Sequence, residues 1–124
     1  MEAFFKQYWS CIAAQDEEEL RNFFYKDACI RWHNTNEQFN LEEFLRANCD
    51  YPGNWYGEVE RIEQIGKTVI TVTHVWTNEM SFHVTSFFEI TSGKISNLNE
   101  YWGDDLEAPQ WRKDKHIGKS ISEI

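Results

Sequence analysis

The residues of this chain best suited to acid–base chemistry lie late in the sequence, in "THVWTNEMSFHVT" (residues 73–85) and "NLNEYW" (97–102). His74 and His83 supply imidazoles, which titrate near neutrality. Glu100 supplies a carboxyl whose pKa rises toward neutrality once it loses hydration. Tyr8, far upstream, supplies a phenol. In one enclosure these groups could remove an acidic C–H proton and stabilise the enolate oxygen that results. Trp32, Trp55, Trp76 and Trp102 would make such an enclosure flat and apolar.

Whether they share an enclosure depends on strand register, because side chains alternate across a strand and a one-residue slip reverses every one of them. In "ITSGKI", Ser92-Gly93 reads as a two-residue turn. Thr91 then pairs with Lys94, which sets Phe87 beside Leu98, Thr85 beside Glu100 and His83 beside Trp102. An even-numbered loop at "TNEMS" sets His83 opposite Trp76 and Thr85 opposite His74. A three-residue loop would turn His74 and Trp76 to the other side. With the even loop, one face carries the rows His74, Thr85, Glu100 and Trp76, His83, Trp102. The backbones of His74 and Glu100 are then roughly 10 Å apart, so only a strongly curved sheet lets both reach one small molecule. Arg61, set beside Val72 by the "IGKT" turn, falls on this face too, placed to pair with Glu89 or to bind an anion.

The opposite face holds Val75, Phe82, Val84, Phe88, Ile90 and Tyr101. It is largely apolar and needs cover. Three short helices cannot cover both faces, so a two-fold homodimer through the outer sheet face is expected, with cover by the tail as the alternative.

These strands follow a helical first half. "EAFFKQYWSCIAA" places Phe4, Tyr8, Cys11 and Ile12 at helical spacing. Asp16 reads as an N-cap with Glu19 three residues on, and Asn40 as a cap for "LEEFLRANCD" with Glu43 in the matching place. "ACIRWHN" between them reads as a strand, and "YPGNW" as the break after the third helix. From Trp55 to Trp102 four long strands run with tight connections. Residues 106–124 read as a polar tail that wraps the body, anchored by Trp111, Ile117 and Ile121. Helices first and an antiparallel meander later indicate one α+β domain over residues 1–124.

Composition narrows the partners. The chain has 124 residues, 41% hydrophobic and 16% aromatic, which suits one packed domain. Its net charge of −9 argues against nucleic acid or an anionic membrane surface as partner. No apolar run reaches the ~18 residues of a membrane span, and "MEAFFKQYW" has no signal-peptide pattern, so a cytoplasmic location is expected. Cys11, Cys29 and Cys49 are odd in number and without metal-like spacing, as for free thiols. His33 falls on the other side of its strand and no paired ligand spacing appears, so no metal site is expected; no Gly-rich phosphate loop is visible, and no cofactor is expected.

The order of elements, with "YKDACIRW" and "GKI…EYW", resembles the nuclear-transport-factor-2-like superfamily and, within it, the SnoaL-like polyketide cyclase branch, over residues 1 to about 105. The resemblance implies a cone, in which a curved sheet wraps a pocket closed by helices, usually as a dimer. It implies a phenol donor at Tyr8 and, from the cyclases, an acid at Glu100. The two carboxylates of the ketosteroid isomerases fall at Trp32 and Thr85, which makes steroid isomerisation unlike this chain.

The expectation is a pocket for a small, mostly apolar or aromatic molecule. Catalysis would fall to Glu100, His74 and Tyr8, and binding to Trp32, Trp55, Trp76, His83, Thr85, Phe87, Leu98 and Trp102. Cyclisation, isomerisation and dehydration fit equally. Two plainer readings stand beside it: a binder without turnover, and a pocketless homodimeric interaction module whose indoles fill the cone.

Overall fold

The structure, a computed structural model, describes residues 1–123. Helix α1 (Glu2–Ala14) buries Phe5, Tyr8, Trp9, Cys11 and Ile12 along one stripe and stops at Gln15, which turns left-handed at φ 54°. Helix α2 (Glu17–Arg21) starts where the Asp16 side chain accepts the Glu19 N–H. Helix α3 (Leu41–Cys49) has a full capping box: the Asn40 side chain accepts from Glu43 N–H, and the Glu43 carboxylate accepts from Asn40 N–H, each at 2.9 Å. The N-caps at Asp16 and Asn40 were both legible as sequence patterns.

Six strands form one sheet: β1 (Phe24–Trp32), β2 (Glu37–Phe39), β3 (Tyr56–Ile65), β4 (Thr68–Trp76), β5 (Ser81–Thr91) and β6 (Lys94–Asp104). Their order is β2-β1-β6-β5-β4-β3. The β1–β6 pair is parallel and the others are antiparallel, so β6 sits centrally between β1 and β5. Helices α1 and α3 cover the inner face, where Phe5 packs on Phe88 at 4.5 Å and Phe44 on Phe24 at 5.4 Å between ring centroids. This is an α+β architecture with N-terminal helices on a curved, mostly antiparallel sheet, as expected.

The register departs from expectation at one residue. The Ser92-Gly93 turn forms with both φ positive, and Thr91 pairs with Lys94 and Ile90 with Ile95. Ser96 is then an extra residue on β6, because Glu89 pairs with Asn97. This β-bulge sets Glu100 opposite Ser86 rather than Thr85, and Trp102 opposite Val84 rather than His83. The β4–β5 loop is Thr77–Met80, with Trp76 opposite Ser81 and His74 opposite His83, two residues from the expected pairing but of the same parity.

The two expected rows are therefore split between the faces. His74, Trp76, His83, Thr85 and Phe87 share a face, and it is the outer one. Glu100, Leu98 and Trp102 point inward with Val69, Thr71, Thr73, Val75, Val84, Ser86, Phe88 and Ile90. Val75, Val84, Phe88 and Ile90, expected to face out, are buried in the core beneath the helices, and Phe82 points to the same side. Tyr101 goes the other way and rests against Phe87 on the outer face, at 5.9 Å. The homodimer argument built on an uncovered Val75–Ile90 face thus loses its ground, because the chain's own helices cover that face.

Arg61 does pair with Val72, but it points outward and reaches Glu63 at 3.7 Å, not Glu89. Glu89 instead accepts from the Thr68 hydroxyl at 2.6 Å. The described tail carries one short α-helix, α4 (Gln110–Asp114), and a 3-10 turn at Ile121–Glu123, and every residue from 103 to 122 is exposed. Trp111, Ile117 and Ile121 are not seated on the body, so the tail does not wrap it as expected.

The α3 capping box holds one wall of the cleft described below. Replacing Asn40 by Ala removes one of its two bonds and is expected to cost about 1 kcal/mol of unfolding free energy, read from urea denaturation. An unchanged midpoint and slope would show the cap to be dispensable.

Candidate functional site

The inner face is built in cross-strand layers. Beyond the Ile90–Ile95 pair at the closed end, one layer comprises Val69, Phe88, Leu98 and Ile30, all fully buried. The next comprises Thr71, Ser86, Glu100 and Trp32, and is polar in every member. Thr73, Val84 and Trp102 follow, and Val75 and Phe82 stand nearest the open end. Apolar residues close the cone and polar atoms line its middle.

Glu100 is the centre of the polar layer and is only 2% exposed. One carboxylate oxygen accepts from the Trp32 indole at 3.0 Å, and the other accepts from the Ser86 hydroxyl at 2.6 Å. Burial pushes its pKa up to about 7, against the downward pull of Ser86, Trp32 and the nearby Trp102 indole. That third indole lies close enough to favour the anion, yet its Nε1 makes no hydrogen bond among the described residues. Two other buried oxygens are likewise without partners, Tyr8 Oη and Thr73 Oγ1. The Tyr8 pKa is raised, first by burial and then by the Glu100 charge, so the phenol stays protonated. These three polar atoms come from α1, β4 and β6, on the helix and sheet sides of the same interior.

Above this layer opens a cleft of about 620 Å³. Trp32 and Trp102 form its floor, Val75 and Phe82 its sheet wall, and Tyr51 and Trp55 the wall that follows α3. The rings run as a continuous arc: Tyr51 to Trp55 at 5.4 Å, Trp55 to Phe82 at 6.0 Å, Phe82 to Trp102 at 6.1 Å, and Trp102 to Trp32 at 6.2 Å. Most polar groups at the rim already serve the scaffold. Gln15 ties α1 to the carbonyls of Asn48 and Tyr51, and Asn34 bonds both backbone groups of Trp102. Asn48 donates to the Phe44 carbonyl. What remains for a ligand is mainly aromatic surface.

The expected site residues therefore fall into three groups. Trp32, Trp55 and Trp102 line the cleft. Glu100, Leu98 and Tyr8 lie beneath it, buried, with Glu100 directly under the two floor indoles. His74, Trp76, His83, Thr85 and Phe87 are on the far side of the sheet and cannot reach it. His74 in particular cannot share a proton with Glu100. Reasoning from the sequence did not name Ser86 or Tyr51, and it placed Val75 and Phe82 on the outward face because both faces of the sheet carry apolar residues. A serine at an alternating position facing a glutamate was the available signal.

The Glu100 shift makes a signed prediction. Its folded pKa lies above the unfolded value of 4.5, so its contribution to stability is present below pH 4.5 and is lost as pH rises through about 7. Glu100→Gln has no such loss. In urea denaturation from pH 5 to 8.5, the variant should gain on the wild type by up to about 3 kcal/mol toward the alkaline end. Curves that stay parallel would mean the carboxyl is already ionised at pH 5.

No family model matches the chain, and no curated protein matches it in sequence. Solved structures do. A candidate ketosteroid isomerase from Kribbella flavida superposes with a TM-score of 0.79 at 22% identity, covering 96% of this chain and 87% of that one. A nuclear-transport-factor-2-like protein of unknown function from Burkholderia xenovorans gives 0.79 at 24% identity, covering 97% and 94%. A candidate SnoaL-like polyketide cyclase from Shewanella putrefaciens gives 0.66 at 10% identity, covering 82% and 78%. The layered cone, with its helices on the concave side and its opening ringed by aromatic residues, is the nuclear-transport-factor-2-like fold.

Proposed function

We propose that the chain binds a small, flat, mostly apolar or aromatic molecule in the cleft between α3 and the open end of the sheet. The observation that carries this is the arc of Tyr51, Trp55, Phe82, Trp102 and Trp32 around about 620 Å³ of space. A volume of that order matches small-molecule sites, which are concave, largely apolar and marked by few polar groups. An open cleft also argues against the pocketless interaction module, which needs the indoles to fill the cone.

A second reading, cofactor-free proton transfer, is favoured by the Glu100 carboxyl, whose pKa of about 7 suits a general acid or base at neutral pH. The Tyr8 hydroxyl and the Trp102 N–H, both without partners among the described residues, would then stabilise charge on a substrate oxygen. Glu100 is buried behind the floor indoles, hydrogen-bonded to Trp32, so the substrate must pass between Trp32 and Trp102 to touch it. Cyclisation, isomerisation and dehydration all use this step. The similarity to a candidate SnoaL-like cyclase is in keeping with such chemistry.

The binding reading is tested with a neutral aromatic probe, 2-naphthol, titrated against the intrinsic tryptophan fluorescence. Saturable quenching is expected, weakened at least tenfold (about 1.4 kcal/mol) by Trp55→Ala and by Phe82→Ala. Equal affinity in both variants, with unfolding midpoints preserved, would remove the cleft from the account.

A further inference from the structure

On the outer face, on the far side of the sheet from the cleft, two imidazoles and two carboxylates meet. His74 on β4 and His83 on β5 are directly opposite in register, with ring centroids 4.8 Å apart and planes 9° from parallel. Glu60 joins them from β3. It is the extra residue of a second bulge, since Val59 pairs with Thr73 and Arg61 with Val72. A bulge re-aims its side chain, and this one carries the Glu60 carboxylate across β4 to His83 Nε2, at 3.1 Å. One ligating atom from each of Glu60, His74 and His83 lies within 4.8 Å of the others.

We propose that Glu60, His74 and His83 form a surface site for a divalent transition-metal ion of borderline softness, such as Zn²⁺. Two imidazoles and one carboxylate are a donor set that Zn²⁺ takes readily, with water completing the tetrahedron. Asp105 supplies the support such sites use. Its carboxylate contacts His83 Nδ1, which orients the ring and leaves Nε2 toward Glu60 as the ligating atom. The other Asp105 oxygen accepts from Ser81, whose hydroxyl is 2.8 Å from His74 Nε2. On its far side His74 stacks against Trp76 at 4.4 Å. The parallel imidazoles must tilt toward each other to close on one ion. Their side chains, 29% and 41% exposed, have room to do so. Spacing along the sequence hides this site, because its ligands come from three strands and one of them depends on a bulge.

The test is isothermal titration of ZnCl₂ into tag-free protein, with one ion bound per chain expected. His74→Ala and His83→Ala should each weaken binding at least tenfold, and His33→Ala and His116→Ala should leave it unchanged. Zn²⁺ should also raise the thermal midpoint of the wild type but not of the His74→Ala, His83→Ala double variant, because an ion bound only to the folded state stabilises it. Far-UV circular dichroism checks that each variant folds. Absence of saturable binding to the wild type would overturn the site. So would affinity retained in His83→Ala, or loss in His33→Ala or His116→Ala as large as in His83→Ala.

Discussion

A carboxyl group sealed from water must find hydrogen-bond donors, keep its proton, or do both, and the interior of this protein is arranged around that demand at Glu100. Ser86 and Trp32 supply the donors from the strands on either side of β6. Burial supplies the tendency to remain protonated up to about pH 7. Both conditions rest on the extra residue at Ser96, which shifts β6 by one position against β5 and so aims Glu100 at Ser86. With an unbroken register the carboxyl would face Thr85, on the wet side of the sheet. One inserted residue thus decides whether the cone has a polar centre.

The rest of the cone follows from keeping that centre dry while leaving its opening accessible. Helix α1 lays Phe5, Tyr8 and Trp9 over the closed half, and the Trp9 indole donates to Thr71, satisfying another hydroxyl of the polar layer. Helix α3 adds Phe44 beside Trp32 and buries Leu45 in the core. Nearer the rim the helices give way, and aromatic rings take over as the lining. An indole suits that boundary, since its ring packs as an apolar plate while its N–H serves a polar partner beneath. Trp32 does both, forming the cleft floor and donating to Glu100.

Much of this was legible in the sequence. Helix caps at Asp16 and Asn40 could be read from spacing because they are local, involving residues three apart. The Ser92-Gly93 and Gly66-Lys67 turns could be read because turn chemistry is local too. What misled was non-local. Nothing in "GKISNLNEYW" announces that Ser96 is unpaired, and its effect is felt at residues four and six positions further on. The same holds for Glu60. The parity of the β4–β5 loop was foreseen, so His74, Trp76, His83 and Thr85 do share a face. Which face turns inward was not, because both carry apolar residues and the decision falls to the packing of α1 on Phe88. Trp32 and Trp55 survived as cleft residues because they lie outside the misread β5–β6 pairing, and Trp102 because it shares the inward side of β6 with Glu100.

The central claim, that Glu100 is held in a water-excluded layer with its proton retained to near neutrality, is tested most directly by carbon-13 NMR. The protein would be labelled at the glutamate side-chain carboxyl and titrated from pH 4 to pH 9, with Glu100 assigned by its absence from Glu100→Gln. The account predicts one carboxyl resonance with its midpoint near 7, well separated from the exposed glutamates. A Glu100 resonance titrating near 4.5 with the others would contradict it.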